Sequence, residues 1–187
     1  MNLIEMNEYK FRVLVDSEEG KTIFRDISIS SISTFDKLHT AIINSFNFKG
    51  DQMASFFMSN EDWDKGEEIG LMDITGEDAD FQQMSDTLIW DKITKMNQKM
   101  VYVYDFLNMW CFYVELIEIN DLSHEKEYPC VEFEQGESPK EESKNALFLG
   151  DLDSVFTSRP KAGFEVKRTE AFREASASAE YVPGSKD

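Results

Sequence analysis

Apolar and polar residues alternate from Tyr9 to Asp16, a run of Tyr-Lys-Phe-Arg-Val-Leu-Val-Asp rich in branched and aromatic side chains. A period of two with that composition predicts a strand. Ser17-Glu18-Glu19-Gly20 reads as a turn, and Lys21 to Ile29 alternates again with Ile23, Arg25, Ile27 and Ile29 on one side. Two such runs around a short turn predict a hairpin. The period then changes. Thr34 can cap a helix over Phe35 to Phe46, in which Phe35, Leu38, Ile42 and Phe46 form a buried stripe at helical spacing. Met53 to Ser59 reads as a short strand, and the acidic stretch Asn60 to Asp73, with Gly66 and Gly70, as a loop or a wide hairpin. Phe81, Met84 and Leu88 have helical spacing, and Ile89 to Ile93 continues it. The clearest strands are Lys99 to Asp105 and Met109 to Ile119, joined around Leu107-Asn108, where Asn tolerates a left-handed turn conformation. These elements predict an α+β fold, an antiparallel sheet of hairpins packed with one or two helices.

The pattern stops near the end of the chain. The last apolar stretch, Leu147 to Phe156, places Phe148, Leu149, Leu152, Val155 and Phe156 on one helix face. That face is expected to cover the sheet built from Tyr102 to Leu116. After it come small and charged residues, from Thr157 through Ala175-Ser176-Ala177-Ser178-Ala179 to Asp187. Residues 1–156 therefore read as a single domain and 157–187 as a flexible tail.

Charge narrows the functional classes. The chain of 187 residues carries a net charge of −18, from 37 acidic and 19 basic side chains. Up to residue 153 the balance is −19, and the tail is nearly neutral. Phosphate binding draws its affinity from Lys and Arg, so no direct nucleic-acid contact is expected. No stretch approaches 18 uninterrupted apolar residues, so no transmembrane helix is expected. The acidic first residues do not resemble a signal peptide, and the two cysteines, Cys111 and Cys130, do not make a disulfide framework. A cytoplasmic protein with two small apolar thiols is the expectation.

Candidate chemistry is sparse. His39 falls just after Leu38 at the edge of the helical stripe, where water or a carbonyl is expected to satisfy it. His124 lies in the acidic loop Asn120 to Glu127 and reads as solvated. Neither pairs with a cysteine at zinc-site spacing. Asn60, Asp62 and Asp64 imitate the start of a calcium loop, but Gly66 is one place late and Leu71 stands where the bidentate Glu belongs. No metal and no cofactor are expected. Asp105 is expected to accept hydrogen bonds from turn N–H groups, because a general acid or base needs a second titratable partner.

One stretch carries a family pattern. Tyr102-Val103-Tyr104-Asp105-Phe106-Leu107-Asn108-Met109-Trp110 to Leu116 resembles the Y-x-Y-D-F-G-D-x-W strand-turn-strand of the plasmid pRiA-type ORF-three-like family. Phe24-Arg25-Asp26-Ile27 resembles its W-R-x-I, and Thr34 to Ile42, with Leu38 and His39, its T-L-x-x-L-H-x-x-I helix. Met53 to Phe57 stands for its H-L-H-x-F, and Pro139-Lys140-Glu141-Glu142 for its P-P-E-D. The resemblance spans residues 8 to 142. It marks Arg25, Leu38, His39, Tyr102, Tyr104, Asp105, Phe106 and Trp110 as the family-motif positions. Departures fall on polar positions. Leu107 replaces the turn Gly, Asn108 the Asp, Phe112 a His, and Met53 and Ser55 the His pair.

The family implies no activity of its own, though some relatives carry transposon-passenger or resolvase labels. A serine resolvase needs several arginines around its phosphate. Of the five here, Arg159, Arg168 and Arg173 lie in the tail, leaving Arg12 and Arg25. No catalytic residue is assigned. The expected function is a non-catalytic protein-interaction or regulatory module with a protein partner. The alternative is a mobile-element accessory protein, or an enzyme with an unrecognised substrate.

Overall fold

The N-terminal alternation forms β1 (Asn7–Val15), paired antiparallel with β2 (Ile23–Ser30). The computed structural model describes residues 6–16, 21–73, 76 and 80–144. The expected turn Ser17 to Gly20, the apolar stretch Leu147 to Phe156, the domain end at 156 and the tail 157–187 lie outside the described residues.

After β2, the Thr34 hydroxyl accepts from the Lys37 N–H at 3.4 Å and starts α1 (Phe35–Ser45). Phe35, Leu38, Ile42 and the following Phe46 are fully buried, as the stripe requires. The chain then crosses the sheet to β3 (Ala54–Ser59) and returns in β4 (Lys65–Gly70), so the acidic stretch is a hairpin. Next come β5 (Gln82–Gln83), a single-turn α2 (Ile89–Lys92), β6 (Lys99–Tyr104), β7 (Trp110–Asp121) and β8 (Cys130–Gln135). Among the described residues these form one open sheet of eight strands, in the order β5-β4-β3-β6-β7-β1-β2-β8. Its neighbours run antiparallel except β4 and β5. The fold is α+β, mostly sheet with few helices.

The expected helix over Phe81 to Leu88 is corrected. This segment forms β5 and a turn, because β4 captures its backbone. The Met84 N–H donates to the Gly70 carbonyl at 2.8 Å, and Phe81 packs where a Cβ on Gly70 would stand, 2.6 Å from the ring. Helix survives only in α2, whose Ile89 and Trp90 N–H groups donate to Ser33 and Ser31. A three-point apolar pattern is too short to hold a helix against such competition.

Both faces of the sheet are apolar. The α1 face buries Phe11, Val13, Ile27, Phe56, Tyr102, Phe112 and Val114. The far face buries Leu14, Phe24, Val101, Val103 and Tyr113, with Trp63 from the β3–β4 turn edge-on to Tyr113. It also buries an ion pair. Arg12 grips Asp26 with two hydrogen bonds of 2.8 and 2.7 Å, and its guanidinium lies over the Phe24 ring.

Candidate functional site

The family-motif positions divide into two places. Leu38, His39 and Tyr102 meet in the core beneath α1. Arg25, Tyr104, Asp105, Phe106 and Trp110 gather at the sheet end where β6 turns into β7.

The first place is a buried polar contact. His39 is 7% exposed, and its Nδ1 lies 2.6 Å from the Tyr102 hydroxyl. This corrects the expectation of a helix-edge His satisfied by water or a carbonyl. Residue 39 is one step from Leu38, and α1 is embedded deeply enough to bury both. Burial holds the imidazole below its ordinary pKa, with Asp36 opposing weakly, and pushes the Tyr102 hydroxyl well above its own. Both groups are therefore neutral at physiological pH.

The sign of the pH dependence follows. A His whose folded pKa is depressed adds stability above its unfolded value of about 6.5 and loses it as pH falls below that value. A Tyr whose folded pKa is raised adds stability below about 10 and loses it as pH rises. Denaturant midpoints should fall between about pH 7 and pH 5, and His39→Gln should flatten that limb. An unchanged acid limb in the variant would show that His39 carries none of it.

At the sheet end the segment 136–144, a strap, is pinned across the strand ends. Arg25, 3% exposed, lies over the Phe46 ring. Its Nε donates to the Ser45 carbonyl at 3.1 Å, Nη1 to the carbonyls of Phe24, Gln135 and Gly136, and Nη2 to the Ser138 hydroxyl at 2.8 Å. It thus ties the last carbonyl of α1 to the exit from β8. Burial lowers its pKa, which Glu134 partly offsets. Glu141 is the strap's anchor. Its Oε1 accepts from the Tyr104 hydroxyl at 2.9 Å, its Oε2 from the Lys49 N–H at 2.8 Å, and its carbonyl from the Trp110 indole N–H at 3.2 Å. Burial, then the Glu141 carboxylate, push the Tyr104 hydroxyl up to about 12. Lys144 sits over the Trp110 ring and donates to the Met109 carbonyl. Pro139 to Glu142, read as a remnant of the family's last motif, is thus where Tyr104 and Trp110 bind.

Asp105 shapes the turn between β6 and β7. Its Oδ1 accepts from the N–H groups of Leu107 and Asn108 at 3.1 and 3.2 Å, and its Oδ2 from the Asn108 amide at 2.6 Å. The left-handed residues are Asp105 at φ 55° and Met109 at φ 51°. This corrects the assignment of that conformation to Asn108, whose side chain instead ties down the carboxylate. Phe106 is half-buried on the far face and Leu107 is exposed.

Beside the strap lies a cavity of about 750 Å³, lined by Lys21, Thr22, Trp110, Ser138, Lys140 and Lys144, among others. Its lining combines the nearly buried Trp110 indole with hydroxyl and ammonium groups. Among the described residues no group of three or more His, Cys, Asp or Glu side chains is placed to hold a metal. Asn60 Oδ1 accepts from the N–H groups of Asp62 and Asp64, and its amide donates to the Asp64 carboxylate, so the calcium-like triplet closes on itself. His124 is exposed in its loop, while Cys111 and Cys130 are free, half-buried thiols. Burial raises the Cys130 thiol pKa, and Glu8 adds to this.

Sequence reasoning missed Glu141 and Lys49 as partners of the motif residues, and missed β8 altogether. The signal for Glu141 was its place in the last motif fragment. Lys49 has none for Glu141, because its backbone N–H makes that bond while its ammonium pairs with Glu142.

No helix among the described residues is long and apolar enough to cross a membrane. No curated protein matches the chain. A crystal structure of a protein of unknown function, MM3350 from Methanosarcina mazei Go1, matches with a TM-score of 0.63 and 19% identity. The match covers 97% of this chain and 96% of that one, and at this identity it speaks for the fold. The sequence profile of the plasmid pRiA4b ORF-3-like proteins matches residues 7–148, the stretch that holds every described strand, α1 and the strap. With the motif fragments now assembled at one sheet end and one core contact, the chain belongs to the plasmid pRiA4b ORF-3-like protein family.

Proposed function

We propose that this chain is a non-catalytic, cytoplasmic protein-interaction or regulatory module, with a protein partner and no direct contact with nucleic acid or membrane. One observation carries the reading. The polar side chains of the motif cluster are spent on architecture: Arg25 on four carbonyls and a hydroxyl, Tyr104 and Trp110 on Glu141, Asp105 on its own turn. A catalytic group must keep a lone pair or proton facing the substrate. In this chain the motif residues hold a strap in place, and that fixes the shape of a surface.

The test is affinity capture by the full chain from its native cells. A protein retained in stoichiometric amounts at physiological salt is expected. The enzyme alternative is favoured by the cavity beside Trp110. It would win if a substrate were turned over and Tyr104→Phe abolished turnover without lowering the melting temperature.

The charge supports the absence of nucleic-acid contact. Bringing −18 to a phosphate backbone adds repulsion and releases few counterions. In a gel shift, micromolar protein should leave duplex DNA unshifted at ~150 mM salt. A shifted band that persists at that salt contradicts the proposal.

A further inference from the structure

We propose that the outer edge of β8 binds an extended basic segment of a partner protein, which adds to the sheet as a further strand. The proposal rests on the interaction-module reading and names its surface and partner chemistry.

β8 is the last strand of the sheet, and among the described residues nothing pairs with its outer edge. The opposite edge is β5, two residues long, whereas β8 offers six. A sheet edge of that length presents a row of backbone donors and acceptors to any extended chain. Two apolar side chains also stand open along it, Val131 39% and Phe133 43% exposed.

Side-chain pockets lie on both sides of the edge. Val131 pairs with Ile27 and faces α1, while Phe133 pairs with Asp26 and stacks on Phe24 on the far face. The register shift between these pairs bulges the strand at Glu132. On the α1 side, a groove of about 280 Å³ runs between helix and edge, lined by Ile27, Ala41, Asn44, Pro129, Val131 and Glu134. Alternate side chains of an added strand point to opposite faces. One set therefore enters this groove, and the other crosses Phe133.

Charge selects the occupant. Glu134 is 60% exposed at the groove and only 4.0 Å from the buried Arg25 Nε. Glu125, Glu127 and Glu137 are exposed near the two ends of β8 and form no ion pair among the described residues, against Lys140 beyond the strand. The nearer cations are engaged: Lys10 with Glu118 and Glu132, Lys126 with Glu8 and Glu132. A second copy is disfavoured. Pairing β8 with itself sets Glu132 and Glu134 of both chains on one short ladder, and like charges across a ladder repel. A strand alternating Lys or Arg with Val or Ile meets the carboxylates, and its long aliphatic stems can lie along Phe133.

The experiment selects from a phage-displayed library of random dodecapeptides on the immobilised full chain. The selected peptide is then synthesised and titrated by fluorescence anisotropy. Selected sequences should alternate basic and apolar residues. On binding, amide exchange should slow at Cys130 to Gln135. N-methylation of alternate peptide nitrogens removes ladder donors and should weaken binding by about tenfold or more. Glu134→Gln should weaken it about threefold or more, measured at a temperature where the variant is fully folded. Failure to select a peptide, a non-basic consensus, protection away from β8, or indifference to N-methylation overturns the proposal. So does a dimer of this chain that protects β8. If native partners are captured while β8 stays unprotected, this proposal fails and the interaction-module reading stands. If no partner is captured but a basic peptide protects β8, the reverse holds.

Discussion

Asp26→Leu should destabilise the fold by about 3–5 kcal/mol, and adding Arg12→Met should restore most of that loss. The reason is where the pair lies. Arg12 and Asp26 face each other across the β1–β2 ladder on the far face, with side chains 5% and 8% exposed. The two hydrogen bonds are near-parallel, and the Phe24 ring backs the guanidinium at 4.5 Å. Both side chains are almost wholly shielded from water, and the two hydrogen bonds do much of the solvating of each charge. Removing the carboxylate leaves a shielded guanidinium without the group that grips it twice, a costly state for a buried charge. Replacing both by apolar groups of similar volume removes the desolvation cost with the attraction. Leu14, Phe24, Val101 and Val103 supply the apolar surroundings for that exchange. Urea unfolding of the two single variants and the double variant measures the cycle. If the double variant loses as much as the two singles together, the pair is not a coupled buried charge and the argument fails.

The same contrast between local and long-range information explains what the sequence revealed. Helix α1 was legible because Thr34, Phe35, Leu38, Ile42 and Phe46 state a cap and a stripe within thirteen residues. β1, β2, β6 and β7 were legible because central strands are rich in branched and aromatic residues. β8 was not. Val131, Phe133 and two glutamates after Pro129 are too short an alternation to predict a strand, and an edge strand keeps only one ladder and leaves its side chains exposed. The Phe81 to Leu88 segment misled for the opposite reason. Its spacing was helical, yet the backbone contacts that decide its shape come from Gly70 and lie outside any local window. The site was legible as fragments only. Arg25, Tyr104, Trp110 and Glu141 are scattered over more than a hundred positions, and the crossing from β2 through α1 to β3 brings them to one end. His39 and Tyr102 are 63 residues apart, and no pattern in either segment announces the contact.

Trp110→Ala should cost about 3–5 kcal/mol and release the strap, whereas Trp110→Phe should keep most of the stability and still loosen the strap. Trp110 is 1% exposed at the first position of β7. Its ring meets Phe48 edge-on at 4.9 Å, and Phe48 in turn contacts Tyr104 and Phe112. Truncation to Ala therefore opens a cavity at the junction of α1, β6 and β7, which rigid strands on either side cannot close. Phe refills most of that volume. It has no donor for the Glu141 carbonyl, and its smaller face weakens the contact with Lys144. The lost hydrogen bond alone is worth about 1 kcal/mol. Two readouts separate core from strap: urea midpoints for global unfolding, and amide exchange across residues 136–144 for local opening. In the Phe variant, exchange in the strap should accelerate by about fivefold or more while the core strands stay protected. Equal protection of the strap in the wild type and the Phe variant would mean that Trp110 fills space and pins nothing. Trp110 would then be a core residue, and the strap would be held by Arg25, Tyr104, Lys49 and the Lys144 contact with the Met109 carbonyl.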